Sequence, residues 1–192
     1  LKKAKYKTAA LQNGNEIASF IELLAHENVR SYLEIGSKFG GSLWRVAWSM
    51  PRGSRVVSID QPHGDGSFKE TQAPLEACVA RLAEKGYDAH LFLGDSTSPE
   101  AIAFATRLGP FDAVFIDANH TEPYVRADWA NYGPLGRLVA FHDIGWVEPA
   151  NFPAHKLKID VPKVWDELRE GRKHLEIRRE TGHNGIGVLW RS

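Results

Sequence analysis

Two short clusters in the 192-residue sequence carry side chains suited to chemistry. Asp117-Ala-Asn-His120 follows the apolar run Ala113–Ile116, and His142-Asp143 closes the apolar run Leu138–Phe141. Read as parallel neighbours in one sheet, about 4.8 Å apart, these runs bring Asp117 and Asp143 to adjacent strand ends on the same edge. Carboxylates that converge repel unless a cation or a proton lies between them. A divalent metal with oxygen ligands, Mg²⁺ or Mn²⁺, meets that need between Asp117 and Asp143. His120, three residues after Asp117, reaches the same space. Each residue also has a structural reading: a turn cap for Asp117, a loop anchor for Asp143, a satisfied core histidine for His142. Their joint placement favours the functional one.

The sharpest local motif is Leu33-Glu-Ile-Gly36-Ser-Lys-Phe-Gly40-Gly41-Ser42, between a first apolar run and a helix. Gly36 permits a sharp turn, and Gly40 and Gly41 let backbone N–H groups approach a ligand. A dinucleotide fingerprint would need glycine where Lys38 stands, so a nicotinamide oxidoreductase is the least favoured reading. Glu34 repels phosphate but accepts hydrogen bonds or attracts a cationic amino group. Asp60 ends the second apolar run, 24 residues after Gly36, where an acid can accept both hydroxyls of a ribose. The ligand implied is an adenosine without a pyrophosphate, carrying a positive or zwitterionic tail.

The elements that must position these groups alternate. Strand-like runs occur at Ser31–Ile35, Arg55–Ile59, Ala89–Leu93, Ala113–Ile116 and Leu138–Phe141, apolar nearly throughout, as suits strands buried on both faces of a parallel sheet. Helical spacing marks Glu16–Glu27, Ser42–Ser49, Pro74–Lys85, Glu100–Leu108 behind Ser98-Pro99, Glu122–Tyr132 and Pro162–Glu170. Alternation of this kind builds a doubly wound α/β sheet. The tail breaks it: His174–Glu180 and Ile186–Trp190, joined by Thr181-Gly-His-Asn-Gly185, predict a hairpin at the edge. Lys+Arg and Asp+Glu are both 24, so the net charge is zero, which disfavours duplex DNA or an anionic membrane as main partner. No apolar run is long enough to span a bilayer, and the start LKKAKYKTAALQNG lacks the apolar stretch of a signal peptide. With the lone Cys78 pointing to a reducing compartment, the expectation is a cytoplasmic chain.

Taken together, Leu33-Glu-Ile-Gly36-xxx-Gly40, Asp60, Gly94-Asp95-Ser96 and Phe111-Asp-Ala-Val-Phe-Ile-Asp117 resemble the motif series of class I S-adenosylmethionine-dependent methyltransferases. The resemblance implies a Rossmann-like seven-stranded sheet in the order 3-2-1-4-5-7-6, the last strand antiparallel, with helices on both faces. Residues 1–192 would form one domain, with 1–30 as an N-terminal extension and helix and 31–192 as the core. It implies S-adenosylmethionine as cofactor, with Glu34, Gly36, Ser37, Gly40 and Ser42 toward the methionine end. Asp60 and Gln61 would sit at the ribose, Asp95 and Ser96 beside the adenine, and Asp117 against the cofactor as well as the metal.

Asp117-x-x-His120 with Phe141-His142-Asp143 resembles the branch of metal-dependent sugar O-methyltransferases and cephalosporin-hydroxylase-like proteins. There an acceptor hydroxyl, a poor nucleophile on its own, would bind the cation and lose its proton to His120. Some members have two adjacent acids where this chain has His142-Asp143, which leaves His142 open as ligand, second base or structural group. The expected partner is a small-molecule acceptor, a sugar among them, with no nucleic acid or membrane, and a homo-oligomer is compatible with the sequence. The alternatives are metal-independent N- or O-methylation, with His120 or His142 as the only base, and a non-catalytic cofactor-binding or interaction module. Among weaker signals, His63 and Asp65 read as a solvated glycine turn, and Trp44 and Trp48 as core. Ile144–Val161, with Trp146, Phe152 and His155, reads as a lid or a plain crossover, and Arg169–Arg179 as a solvated basic face.

Overall fold

The computed structural model describes residues 14–61, 71–147, 158–178 and 184–191. Seven strands form one sheet: β1 Ser31–Ile35, β2 Arg55–Asp60, β3 Asp88–Leu93, β4 Phe111–Ile116, β5 Gly136–His142, β6 His174–Ile177 and β7 Ile186–Trp190. Their order is β3-β2-β1-β4-β5-β7-β6. β1 to β5 pair in parallel, whereas β7 runs antiparallel to both β5 and β6. Order and direction are those expected. β6 stops at Ile177, short of the expected Glu180, which lies outside the described residues.

The helices are α1 Gly14–His26, α2 Gly41–Ser49, α3 Gln72–Glu84, α4 Pro99–Leu108, α5 Glu122–Tyr132 and α6 Val161–Arg169. Because side chains alternate across a strand, each inner strand feeds two cores. Tyr32, Val56, Ala113, Phe115, Leu138 and Ala140 pack with α1, α2 and α3. Leu33, Ile35, Val57, Ile59, Val114, Val139 and Phe141 pack with α4, α5 and α6. Complete burial on both faces explains why these strands read as unbroken apolar runs. Local caps fix where helices begin: the Ser98 hydroxyl accepts the Ala101 N–H at 3.2 Å, and Pro99 takes the first turn. Trp48 departs from its expected core position. It is 36% exposed, stacked on the buried Trp44 at 5.3 Å with the Arg52 guanidinium 4.5 Å over its ring. Among the described residues no helix is long and apolar enough to cross a membrane.

β1 lies between β2 and β4, so the chain leaves it for opposite sides of the sheet. Such a switch point opens a crevice at the carboxyl ends of the strands. Asp60, Asp95, Asp117, His142 and Asp143 lie at that edge.

Candidate functional site

The bend after β1 is built by close approach. Gly36 has φ +89, and a Cβ there would stand 2.3 Å from the Asp117 carbonyl oxygen and 2.6 Å from Ala118 Cα. Only glycine fits both the left-handed backbone and the contact. The Gly36 N–H donates to the Ile59 carbonyl at 2.9 Å and the Asp117 N–H to the Ile35 carbonyl at 2.8 Å, locking bend and β4 terminus together. Gly40, φ +77, backs onto Cys78, whose Sγ would lie 2.7 Å from an added Cβ.

Beneath the bend Glu34 is fully buried. Tyr32 donates to its Oε2 at 2.6 Å and Ser42 to its Oε1 at 2.8 Å. Burial, with the Asp117 charge nearby, outweighs these bonds and pushes its carboxyl up to about 7. Asp60, at the end of β2, accepts the Lys38 backbone N–H on Oδ2 at 2.7 Å. Burial raises its pKa too, and Asp117 adds to the rise. Carboxyl groups from three strand ends thus line one bend, where they accept hydrogen bonds and disfavour phosphate.

The second cluster is a ring of two imidazoles and two carboxylates. Ile116 pairs with Phe141 in the ladder, so Asp117 is level with His142, not with Asp143. Asp143 lies one residue further, where an extended chain would send its side chain to the other face. Its φ of +61 turns it back. Asp tolerates this left-handed conformation better than most residues. The result is a set of mutual contacts. His120 Nε2 lies 3.2 Å from Asp117 Oδ1 and its Nδ1 3.4 Å from Asp143 Oδ2. His142 Nδ1 lies 3.2 Å from both Asp117 Oδ1 and Asp143 Oδ1.

Burial by itself would raise Asp117, but the His142 and His120 imidazoles hold it well below the usual carboxylate range. Burial would lower His142, but Asp117 and Asp143 reverse this and push it well above an ordinary histidine. The two carboxylates that face Nδ1 thus favour the imidazolium form of His142, whose buried Nε2 meets no hydrogen-bond partner among the described residues. Among the described residues, no three His, Cys, Asp or Glu side chains are grouped to hold a metal ion. As arranged, the cluster makes acid–base pairs, its nitrogen and oxygen atoms standing 3.2–3.4 Å from one another.

The comparisons with known proteins agree with this edge-on architecture. The sequence pattern of a family described as a methyltransferase domain matches residues 33–144, which span the bend, Asp60, the β3 terminus and the whole ring. The chain belongs to this methyltransferase family. No curated protein sequence matches it. In fold, the methyltransferase is similar to an O-methyltransferase from Bacillus cereus in complex with SAH. The TM-score is 0.69 at 17% identity, over 96% of this chain and 84% of that one. It is also similar to a caffeoyl-CoA O-methyltransferase from Staphylococcus aureus, so described provisionally, with TM-score 0.69 at 16% identity over 95% and 86%. The O-methyltransferase TomG from Streptomyces achromogenes, in complex with SAM, gives TM-score 0.66 at 20% identity over 93% and 80%. The methyltransferase is thus of the class I, S-adenosylmethionine-dependent kind.

Most residues singled out in the methyltransferase's sequence meet at this edge. Ser37 is buried, its hydroxyl taking a hydrogen bond from Ser58 at 2.8 Å. Gln61 is exposed beside Asp60. Asp95 Oδ1 accepts both the Thr97 N–H and its hydroxyl, at 2.8 and 2.7 Å, and Ser96 is buried next to it. The Trp146 backbone N–H donates to the Asp143 carbonyl at 3.1 Å. His63, Asp65, Phe152, His155 and His183 lie outside the described residues. The basic face is partly neutralised by its own acids: Arg169 pairs with Asp166 and Glu176, and Arg178 with Glu176.

Three contributors were not anticipated from sequence. Tyr32 stands two residues before Glu34, hence on the same face of β1. The backbone N–H of Asp160 donates to the His120 carbonyl at 2.8 Å, bracing the His120 turn from the start of α6. Asp128, on the buried stripe of α5, is completely inaccessible. Its signal was a carboxylate between Val125 and Tyr132 at core spacing, since a charge on an apolar helix face is the informative exception.

Proposed function

We propose that the methyltransferase transfers a methyl group from S-adenosylmethionine to a hydroxyl oxygen of a small-molecule acceptor, sugars included, with His120 as general base. The observation that carries this is the seat of His120. It stands between two carboxylates directly beside the glycine bend, the Gly36–Asp117 contact joining the two sites. The fold neighbours named as O-methyltransferases support oxygen as the acceptor atom.

Glu34, Gly36, Ser37, Gly40 and Ser42 would hold the methionine end, Asp60 and Gln61 the ribose, and Asp95 and Ser96 the adenine. When bound, the cofactor supplies a methyl group on a positively charged sulfur that departs as a neutral thioether. The protein's part is to orient the acceptor and move one proton. With His120 Nε2 donating to Asp117, Nδ1 is the nitrogen that takes up a proton, and Asp143 Oδ2, 3.4 Å away, favours its protonated form. The hydroxyl proton passes to Nδ1 as the oxygen electron pair goes to the methyl carbon. Asp117 and Asp143 then stabilise the imidazolium from both sides. Such proton transfer contributes about 10²–10⁴-fold, and in-line positioning over the bend adds to it.

The test is formation of S-adenosylhomocysteine with a panel of hydroxylated acceptors. His120→Ala should lose about 10²–10⁴-fold in turnover, with S-adenosylhomocysteine affinity kept within about twofold. Turnover should persist in EDTA. Unchanged turnover in His120→Ala removes the base. Activity abolished by EDTA and restored by Mg²⁺ or Mn²⁺ replaces this reading with metal assistance through Asp117 and Asp143. Cofactor binding without transfer to any acceptor, metals included, points to the non-catalytic module.

A further inference from the structure

α5 carries a buried acid that the chemistry above does not use. Asp128 is 0% exposed; the Ser96 side chain lies beside its carboxyl and favours the ionised form, but among the described residues no well-formed hydrogen bond reaches either oxygen. A buried carboxyl without partners costs several kcal/mol as an ion and calls for a reason. One helical turn further on, Tyr132 is also fully buried and donates its hydroxyl to the Ser96 carbonyl. Two side chains of one helix face thus address the same residue of the β3–α4 loop, one at its backbone and one at its side chain. The loop is otherwise held by Asp95, whose Oδ1 is occupied by Thr97, leaving Oδ2 to meet a ligand.

We propose that Asp128 and Tyr132 form a clamp on Ser96 that fixes the Asp95–Ser96 segment for reading the adenine ring, so that Asp128 is a positioning residue for cofactor specificity. This rests on the reading that places Asp95 and Ser96 at the adenine. Burial, reinforced by the Asp95 charge, raises the Asp128 carboxyl to about 7. Around neutrality and below it a large share is therefore protonated, and a protonated carboxyl both donates and accepts toward Ser96. The clamp holds Asp95 where a carboxylate oxygen accepts from the exocyclic amino group of adenine. A base with oxygen at that position offers an acceptor to an acceptor and is rejected.

The experiment is calorimetric titration of the full chain with S-adenosylhomocysteine and with S-inosylhomocysteine, which carries oxygen in place of the amino group. Wild type should prefer the adenosyl compound by about tenfold or more. Asp128→Leu and Tyr132→Phe should cut that ratio to about twofold or less, while Asp128→Asn, neutral and of the same shape, should keep it. Tyr132→Phe removes only a hydroxyl and decides the matter if Asp128→Leu does not fold. Asp95→Ala separates the two levels of the argument. If it abolishes discrimination while folded Asp128→Leu and Tyr132→Phe retain it, the clamp is overturned and the adenine placement stands. If Asp95→Ala discriminates as wild type does, or wild type binds both compounds equally or neither, the adenine placement fails and the clamp with it.

Discussion

Gly36 offers the most direct test of the close approach that joins the two halves of the site. Gly36→Ala carries two penalties. A left-handed φ costs an alanine roughly 1–2 kcal/mol. The new Cβ would also lie 2.3 Å from the Asp117 oxygen and 2.6 Å from Ala118 Cα, both main-chain atoms of β4's terminus. Neither can rotate away, so bend and β4 end must part by roughly 1 Å, a displacement that at a reacting centre can cost about 10²-fold. Gly53→Ala is the internal control. Its φ is +83, close to the +89 of Gly36, yet nothing lies within 4 Å of its Cβ position. It should lose only the conformational term, a fall in Tm of about 2–8 °C for a chain this size, and keep full turnover. Gly36→Ala should lose about 1–3 kcal/mol more, as overpacking does, measured by urea unfolding, and about 10²-fold in kcat/KM. Equal stability of the two variants, with wild-type kinetics in Gly36→Ala, would refute the reasoning.

Two further perturbations test the charges. Asp117→Asn removes the carboxylate that faces both imidazoles; breaking a buried pair from one side costs about 3–5 kcal/mol, and turnover should fall with it. The loss should be greatest near neutral pH. The pair's stabilisation needs Asp117 ionised, which fails in acid, and His142 protonated, which fails only well above the ordinary histidine range; a variant as stable as wild type at pH 7 contradicts the ring. Asp128 has the opposite dependence. Its folded pKa of about 7 lies above the unfolded 3.8, so the folded state binds the extra proton and stability falls as pH rises between those values. The ceiling is about 4 kcal/mol. Asp128→Asn should gain on wild type between pH 4 and 8 in urea unfolding, and a constant difference across that range would contradict the assignment.

The sequence was most informative where burial is complete. Strands β1, β2, β4 and β5 are apolar on both faces, so their existence and parallel pairing followed from the runs themselves. The hairpin was visible in its glycine- and asparagine-rich connection, but half-exposed β6 lacks the pattern that would set its end. The ring residues were legible as a group because strand ends are marked by the switch from apolar to charged residues. Their partnership was not legible. A strand-end count places Asp117 opposite Asp143, whereas the register places it opposite His142, and a left-handed residue restores Asp143. No pattern of residue types announces φ +61 at an aspartate. Glu34 was read for its charge, but its position beneath the bend, held by Tyr32 and Ser42, depends on where α2 begins.

The antiparallel β7 has a consequence for how the protein comes into being. It covers β5 from Leu138 to His142, and just beyond, the Gly145 N–H donates to the Asn184 carbonyl at 2.7 Å, with Arg178 reaching the Ile144 carbonyl at 3.4 Å. During synthesis, His142 and Asp143 emerge more than forty residues before the strand that flanks them. Until then β5 is an open sheet margin, and the turn that redirects Asp143 lacks its brace. The β1, β2 and β4 side of the edge thus has all its neighbours in the chain well before the His142–Asp143 side, which is complete only when β7 docks.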